Sequence, residues 1–277
     1  MSDLAFRAKN FSKQKALGQN FLIDESKLDA IVKASNLDSN KDIVVEIGAG
    51  IGFLTERLVK HCKKLYAVEL DASTETHHKI LEANYPHYKY IRADFLGLTI
   101  PEIVGDKTSV VKVVANIPYQ ISSRIILHLL GEIGEPSISN PQVSEINILV
   151  QKEFADRLLA KPGIKDHGAM TLLLSYWATV EKSLDVPKGC FMPRPKVESS
   201  FVKITKRAEP LIKLENPKAV RRFIKAVYAN RRKKLFNGLL AAGYPRESIE
   251  KLNLDENLRG ECLDLEQINQ LVNCLVA

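Results

Sequence analysis

Between Ile43 and Ala115 the chain alternates short apolar, β-branched runs with helical patterns, and this alternation restricts its fold more than any other feature. The runs are residues 43–47, 64–70, 88–92 and 110–115. Strands of this length separated by helices indicate a doubly wound, mostly parallel sheet, an α/β class. Residues 146–150 and 197–204 read as two more strands, and Gly131 to Asn147, with its Gly, Pro and Ser, reads as a loop. The texture changes after Lys206. Asn216-Pro217 is a helix start, with Asn as cap and Pro in the first turn. Val220, Phe223, Ile224 and Val227 follow at helical spacing, and segments 235–241, 246–252 and 264–275 are also helical. The expected organisation is a domain over residues 1–207 and a small, all-helical C-terminal domain over 208–277.

The first strand ends in Glu46-Ile47-Gly48-Ala49-Gly50-Ile51-Gly52, just before a helix starting near Phe53. Glycines at such a turn let the backbone approach a ligand with no Cβ in the way. The third glycine falls one residue earlier than in the dinucleotide fingerprint, and a bare strand–helix turn would also use glycines. Glu69, at the end of the second strand, can accept both hydroxyls of a ribose. Asp94 ends the third strand, where it can accept from an adenine amino group, and Phe95 adds backbone and ring. Acids at three successive strand ends converge on the carboxyl edge of such a sheet. This order resembles the Rossmann-like S-adenosylmethionine methyltransferases.

The fourth strand runs into Asn116-Ile117-Pro118-Tyr119. The Asn116 side-chain carbonyl and the Ile117 backbone carbonyl can each accept one N6–H of adenine, orienting a poor nucleophile. Pro118 stiffens the turn. Tyr119 can stack on a base drawn out of its helix.

With these motifs in place, the chain resembles the small-subunit ribosomal RNA adenine N6,N6-dimethyltransferases from about Gln14 to near its C-terminus. Gly18-Gln19-Asn20-Phe21-Leu22 is similar to that family's N-terminal cofactor motif, which implies cofactor contacts for Asn20 and Leu22. Leu149–Glu153, Ala160–Gly163 and Lys165–Gly168 match its middle region. Phe191–Ser199 matches a loop whose Phe, here Phe191, is implied to help hold the target base with Tyr119. Asn230-Arg231-Arg232-Lys233-Lys234 resembles the start of its basic C-terminal helix. The resemblance implies S-adenosyl-L-methionine as cofactor, held by Asn20, Leu22, Glu46, Gly48, Gly50, Gly52, Glu69, Asp94, Phe95 and Asn116. It implies dimethylation of two adjacent adenines in a hairpin near the 3′ end of small-subunit rRNA, on the immature subunit. The chain departs from the family at Ile117, Gln120 and His167, where Leu, Asn and Tyr are more usual. Two other readings share parts of the pattern: a large-subunit rRNA adenine methyltransferase of the macrolide-resistance type, and a non-catalytic RNA chaperone or transcription factor on the same fold.

Charge supports an RNA partner. From Lys188 to Gly238 the chain carries fifteen Lys and Arg against three Glu, a net +12, so the remainder of this +7 chain is at −5. Such segregation suits a polyanion-binding face, and a solvated helix face would show it too. Arg221, Arg222, Arg231, Arg232, Lys233 and Lys234 are the candidate RNA contacts. No apolar stretch has the length of a membrane span, and residues 1–15 are polar and basic, unlike a secretory signal. Cys62, Cys190, Cys262 and Cys274 are scattered, as reduced thiols in a cytoplasmic protein would be. His77 and His78 are adjacent and read as surface residues, His61 and His128 as packing or solvent-facing, and Trp177 as part of a core helix. No metal site and a monomeric state are expected.

Overall fold

The computed structural model of the protein describes residues 2–11, 19–137, 140–229 and 233–276. In chain order the first strands are β1 (Phe21–Leu22), β2 (Ile43–Ile47), β3 (Lys64–Glu69), β4 (Tyr88–Arg92) and β5 (Val111–Ala115). They are followed by β6 (Gly131–Glu132), β7 (Glu135–Pro136), β8 (Val143–Gln151), β9 (Ala178–Val186), β10 (Phe191–Met192) and β11 (Ser199–Lys206). Seven of them form one sheet in the order β4-β3-β2-β5-β8-β11-β9. β2 lies between β3 and β5 and is parallel to both, and β5 is parallel to β8, whereas β11 runs antiparallel to β8. Val44 to Ile47 are all buried. A strand covered on both faces needs no polar alternation, which is why this segment is an apolar run. Succession proceeds outward from β2 to β3 and β4, then resumes on the other side at β5. Ligand crevices open at the carboxyl ends of strands where the order reverses in this way.

The strand expected at 146–150 is the middle of the nine-residue β8, and the stretch expected as a loop from 131 holds the β6–β7 hairpin and the start of β8. β9 has no counterpart in the sequence reading. It is an edge strand whose Glu181, Lys182, Ser183 and Asp185 are exposed, so it lacks an apolar run and carries the charges that discourage edge pairing.

Contacts divide the chain into two compact units: residues 1–130, 137–155 and 181–206 form one, and residues 131–136, 156–180 and 207–277 the other. The first unit holds the parallel part of the sheet with α1 (Asp3–Phe11), α2 (Glu25–Ala34), α3 (Thr55–Leu58), α4 (Glu75–Asn84), α5 (Ile100–Val104) and α6 (Ser122–Leu130). Next in the chain come α7 (Lys152–Leu158) and α8 (Ala169–Trp177). The helices of the second unit after residue 207 are α9 (Pro217–Ala229), α10 (Leu235–Ala241), α11 (Arg246–Glu250) and α12 (Leu265–Val276). The second unit also takes in α8, which the sequence reading assigned to residues 1–207. Leu172, Leu173, Leu174, Tyr176 and Trp177 of α8 are buried, and the helix packs on α9 and α12. In α9 the stripe Val220, Phe223, Ile224 and Val227 is buried, and the Asn216 side chain accepts the Ala219 N–H at 3.0 Å as its cap. The Trp177 indole donates to the Glu132 carbonyl at 3.1 Å, fixing the β6–β7 hairpin beside α8.

That hairpin turns at Gly134, where φ is +71° and a Cβ would lie 2.1 Å from Pro217 Cβ. Gly105 has a φ of +72° with open space around it. Gly105→Ala should therefore cost about 1 kcal/mol for the left-handed conformation alone. Gly134→Ala should cost at least about 1 kcal/mol more, since overpacking adds to the backbone term. Chemical denaturation of the two variants measures the difference; equal costs would show that Pro217 gives way.

Candidate active site

The turn after β2 has three glycines in the left-handed region, Gly48, Gly50 and Gly52, with φ of +74°, +55° and +84°. Each makes room for a different part of the chain. A Cβ at Gly48 would lie 3.0 Å from Ile117 Cγ2, one at Gly50 3.2 Å from the Phe21 ring, and one at Gly52 3.0 Å from the His77 ring. The early third glycine therefore answers to α4, which carries His77 across the turn.

A cavity of about 300 Å³ opens beside this turn. Asn20, Leu22, Glu46, Gly48, Gly50, Glu69, Asp94, Phe95, Asn116 and Tyr119 all line it, from five separate segments of the chain. Gly52 and Phe191 do not. Leu70, Phe53 and Ile117 line it as well. Leu70 is 55% exposed, directly after Glu69, and its place in the site was readable only from the strand end it occupies.

The acids of the cavity differ in their surroundings. Glu69 is buried, and its two oxygens accept the Gly50 N–H at 2.7 Å and the Asp71 N–H at 2.8 Å. Burial raises its pKa, against the pull of the Asp71 and Gly50 amides. These bonds fix the carboxylate and still leave each oxygen a second lone pair. Glu46 sits in the middle of the sheet, and burial pushes its carboxyl up to about 8 against the pull of the nearby Thr55 hydroxyl; its Oε2 is buried with no hydrogen-bond partner among the described residues. Asp94 is exposed; one oxygen accepts the Leu96 N–H at 3.0 Å and the other makes no bond among the described residues. Phe95 is buried edge-on against His128, with centroids 5.4 Å apart.

Asn116 follows β5 directly and is half-buried, and its carboxamide has no hydrogen-bond partner among the described residues. Tyr119 donates to or accepts from Ser199 Oγ at 2.6 Å, which pins its ring to the first residue of β11. Burial raises the phenol pKa. A further cavity of about 170 Å³ shares Tyr119 in its lining, with Asn20, Gln120 and Gln151. Gln120, one of the departures from the family pattern, thus lines both cavities.

Phe191 is placed apart from Tyr119's cavity. It is 3% exposed and belongs to the core cluster, in β10, which pairs antiparallel with β1 through Leu22 and Phe21. The Ile23 N–H also donates to the Cys190 carbonyl at 2.8 Å. β10 thereby seats the N-terminal segment whose Asn20, Phe21 and Leu22 line the cavity. The expectation for the adjacent histidines is corrected: His78 is fully buried, because its ring bonds to the Gly50 carbonyl and stacks on Tyr90, and only His77 is partly exposed.

Of the six basic candidates, Arg221 is committed within the second unit. Its guanidinium donates to the Ile133 carbonyl at 2.6 Å and pairs with Glu135. Arg222 is exposed, with its guanidinium 5.0 Å from the Tyr244 ring centroid. Lys233 and Lys234 are exposed, and Arg231 and Arg232 lie outside the described residues.

The sequence model of the ribosomal RNA adenine dimethylase family matches residues 10–276. The chain belongs to that family. The ribosomal RNA small subunit methyltransferase A of Clostridium perfringens is 36% identical over 270 residues, covering 96% of this chain and 92% of the relative. The protein of the same name from Halothermothrix orenii is 37% identical, with coverages of 97% and 90%. Among solved structures, a dimethyladenosine transferase from Plasmodium falciparum superposes with a TM-score of 0.73 at 25% identity, covering 91% of this chain and 95% of that one. The 23S rRNA methyltransferase ErmE shares the fold, with a TM-score of 0.67 at 21% identity and coverages of 93% and 100%. The enzyme is thus a ribosomal RNA adenine dimethyltransferase with the Rossmann-like fold, and its methyl donor is S-adenosylmethionine.

The cavity suits that donor on two structural grounds. Among the described residues, the Glu46 Oε2 is buried without a hydrogen-bond partner and the Asn116 carboxamide makes no hydrogen bond, and both residues line the cavity. Glu46 also carries a pH signature. Its folded pKa is raised from 4.5 to about 8, so its contribution to stability is fully present below pH 4.5 and is lost as pH rises to 8. Glu46→Gln removes this titration. Its stability relative to wild type should rise across that window, by up to about 1.4 kcal/mol per pH unit. Denaturation at pH 5 and pH 8 reads the change; a pH-independent difference would place the Glu46 pKa near its ordinary value.

Proposed function

We propose that the enzyme dimethylates the N6 amines of two adjacent adenines in a hairpin near the 3′ end of small-subunit rRNA, acting on the immature subunit as a cytoplasmic monomer. The names of the relatives at 36–37% identity, the +12 segment and four unpaired cysteines support this reading. The small-subunit part of the reading rests on those relatives, and the observation that carries the N6 chemistry is the Asn116 carboxamide, half-buried on the cavity wall with no internal partner among the described residues.

An adenine N6 lone pair is delocalised into the ring, so the amine needs orienting more than it needs a strong base. Asn116 Oδ1 and the Ile117 carbonyl each accept one N6–H, favouring the tetrahedral nitrogen of the transition state. Tyr119, its ring held through Ser199, stacks on the base after it leaves its helix. S-adenosylmethionine, when bound, supplies an electrophilic methyl group on a sulfonium. Glu69 takes its ribose, Asp94 and Phe95 its adenine, and Asn20, Leu22, Glu46 and the glycine turn enclose the remainder. The proton displaced from N6 leaves to water. Phe191 acts on the site through β1, by keeping Phe21 and Leu22 in place.

Asn116→Ala should lower the single-turnover rate by about two orders of magnitude, since one transition-state acceptor is worth on the order of 3 kcal/mol. Cofactor affinity by calorimetry should stay within a few-fold. Equal losses of rate and affinity would assign Asn116 to the cofactor instead. The substrate itself is tested by incubating the enzyme with immature small subunits, mature small subunits and large subunits, with labelled cofactor, and mapping the label. Label on a pair of adjacent adenines of the immature small subunit is expected, and label confined to large-subunit rRNA would overturn the reading.

Docking is assigned to the exposed basic residues Arg222, Lys233 and Lys234 together with Arg231 and Arg232. Lys233→Ala with Lys234→Ala should weaken subunit binding and flatten the logarithmic salt dependence by roughly 0.7–0.9 per lost phosphate contact. Parallel salt slopes would show a solvated face. Arg221→Ala should instead act mainly on stability, because its side chain is bonded within the second unit.

A further inference from the structure

His78 does not line the cavity, and its ring is fully buried. Its Nε2 lies 2.8 Å from the Gly50 carbonyl oxygen, and its Nδ1 2.7 Å from the Tyr88 hydroxyl. A carbonyl can only accept, so Nε2 carries the proton and Nδ1 accepts from Tyr88. The ring stacks on Tyr90 with centroids 4.5 Å apart and planes 7° apart, and the Tyr90 hydroxyl is 3.3 Å from Thr74 Oγ1. Burial drives the imidazole down to about 4, so it stays neutral in this tautomer at neutral pH.

Gly50 is held from both of its polar groups. Its N–H donates to Glu69 at 2.7 Å, and its carbonyl accepts from His78. The residue sits in the left-handed region, at a φ of +55°. A glycine visits left-handed and right-handed conformations about equally, so its own backbone does not choose this shape. The choice is made by the two side chains that bind it.

We infer that His78 is the positioning residue of the cofactor turn: its Nε2–H holds the Gly50 carbonyl so that Gly48, Ala49 and Gly50 keep the shape that receives S-adenosylmethionine. This rests on the cavity being the cofactor site. His78 affects binding only through Gly50, so its loss acts on cofactor affinity and spares the rate at saturation. The same packing explains Gly52, since His77, the preceding residue of α4, occupies the space a side chain there would take.

Two amides of different reach separate this role from simple filling of the core. The amide nitrogen of Gln stands the same number of bonds from the backbone as His Nε2 and can donate to Gly50. That of Asn stands where Nδ1 does and cannot reach. The experiment is calorimetric titration of S-adenosylhomocysteine into wild type, His78→Gln, His78→Asn and His78→Leu, with steady-state kinetics and thermal stability for each. Asn and Leu should raise the dissociation constant at least tenfold while kcat at saturating cofactor stays within threefold. Gln should restore affinity to within threefold of wild type.

Amide exchange of residues 50–53 without cofactor gives a readout independent of the cavity's identity. It should be faster in the Asn and Leu variants than in wild type or Gln. Equal affinities and equal exchange for Gln and Asn would overturn the inference and leave His78 a core residue. Normal ranking in exchange with no binding by wild type would instead overturn the cavity assignment and leave the clamp standing. Should Leu or Asn fail to fold, Tyr88→Phe serves in their place. It removes the O–H that donates to His78 Nδ1 and holds the ring against Gly50, and should raise the dissociation constant two- to fivefold; an unchanged value would count against the clamp.

Discussion

Close approach at the turn after β2 organises the first unit. Ile117, Phe21 and His77 come so near to Gly48, Gly50 and Gly52 that a Cβ at any of the three would press on a neighbour. Those neighbours belong to the turn after β5, to β1 and to α4. Parallel strands explain how the elements meet, since every strand from β2 to β5 delivers its carboxyl end to the same edge. The left-handed backbone of the turn is then set by what binds it: Glu69 at the Gly50 N–H and His78 at its carbonyl.

The electrostatics of the site follow from the same crowding. Glu46 and Glu69 are close to fully buried, and desolvation raises both pKa values. Glu69 is compensated by two backbone amides, whereas one oxygen of Glu46 has no hydrogen-bond partner among the described residues. A buried acid without full hydrogen bonding lowers stability, and such groups concentrate at functional sites. The cavity therefore combines acceptors already tied to the backbone with others, at Glu46, Asp94 and Asn116, that a bound molecule can use.

Much of this was legible in the sequence because it is local. The four apolar runs became β2 to β5, with ends shifted by a residue at most, and the acid or amide at or just past the carboxyl end of each lies at the cavity. The helical stripe of α9 was equally plain. What escaped depends on distant partners or on chemistry that mimics the surface. His77 and His78 looked like exposed residues because neither has a ligand-like spacing. The partner of His78 is Gly50, twenty-eight residues back. β9 reads as polar because it is an edge. Arg221 counts as one more positive charge until Glu135 and Ile133 are seen to hold it. Phe191, which the resemblance places at the base, is buried in β10 against β1, a setting that its spacing in the sequence does not disclose. α8 falls with the helices of the second unit because it is apolar on nearly every side, and a boundary read from a change of texture near residue 207 has no access to that packing.

We propose that one cavity, built on the glycine turn, receives the methyl donor. Amide hydrogen exchange of the whole enzyme with and without S-adenosylhomocysteine tests it most directly. Slower exchange is expected in residues 48–53, 69–71, 94–96 and 116–119, with no change in α9 to α12. Protection that spares the glycine turn and Asn116, or that centres on the second unit, would contradict the account.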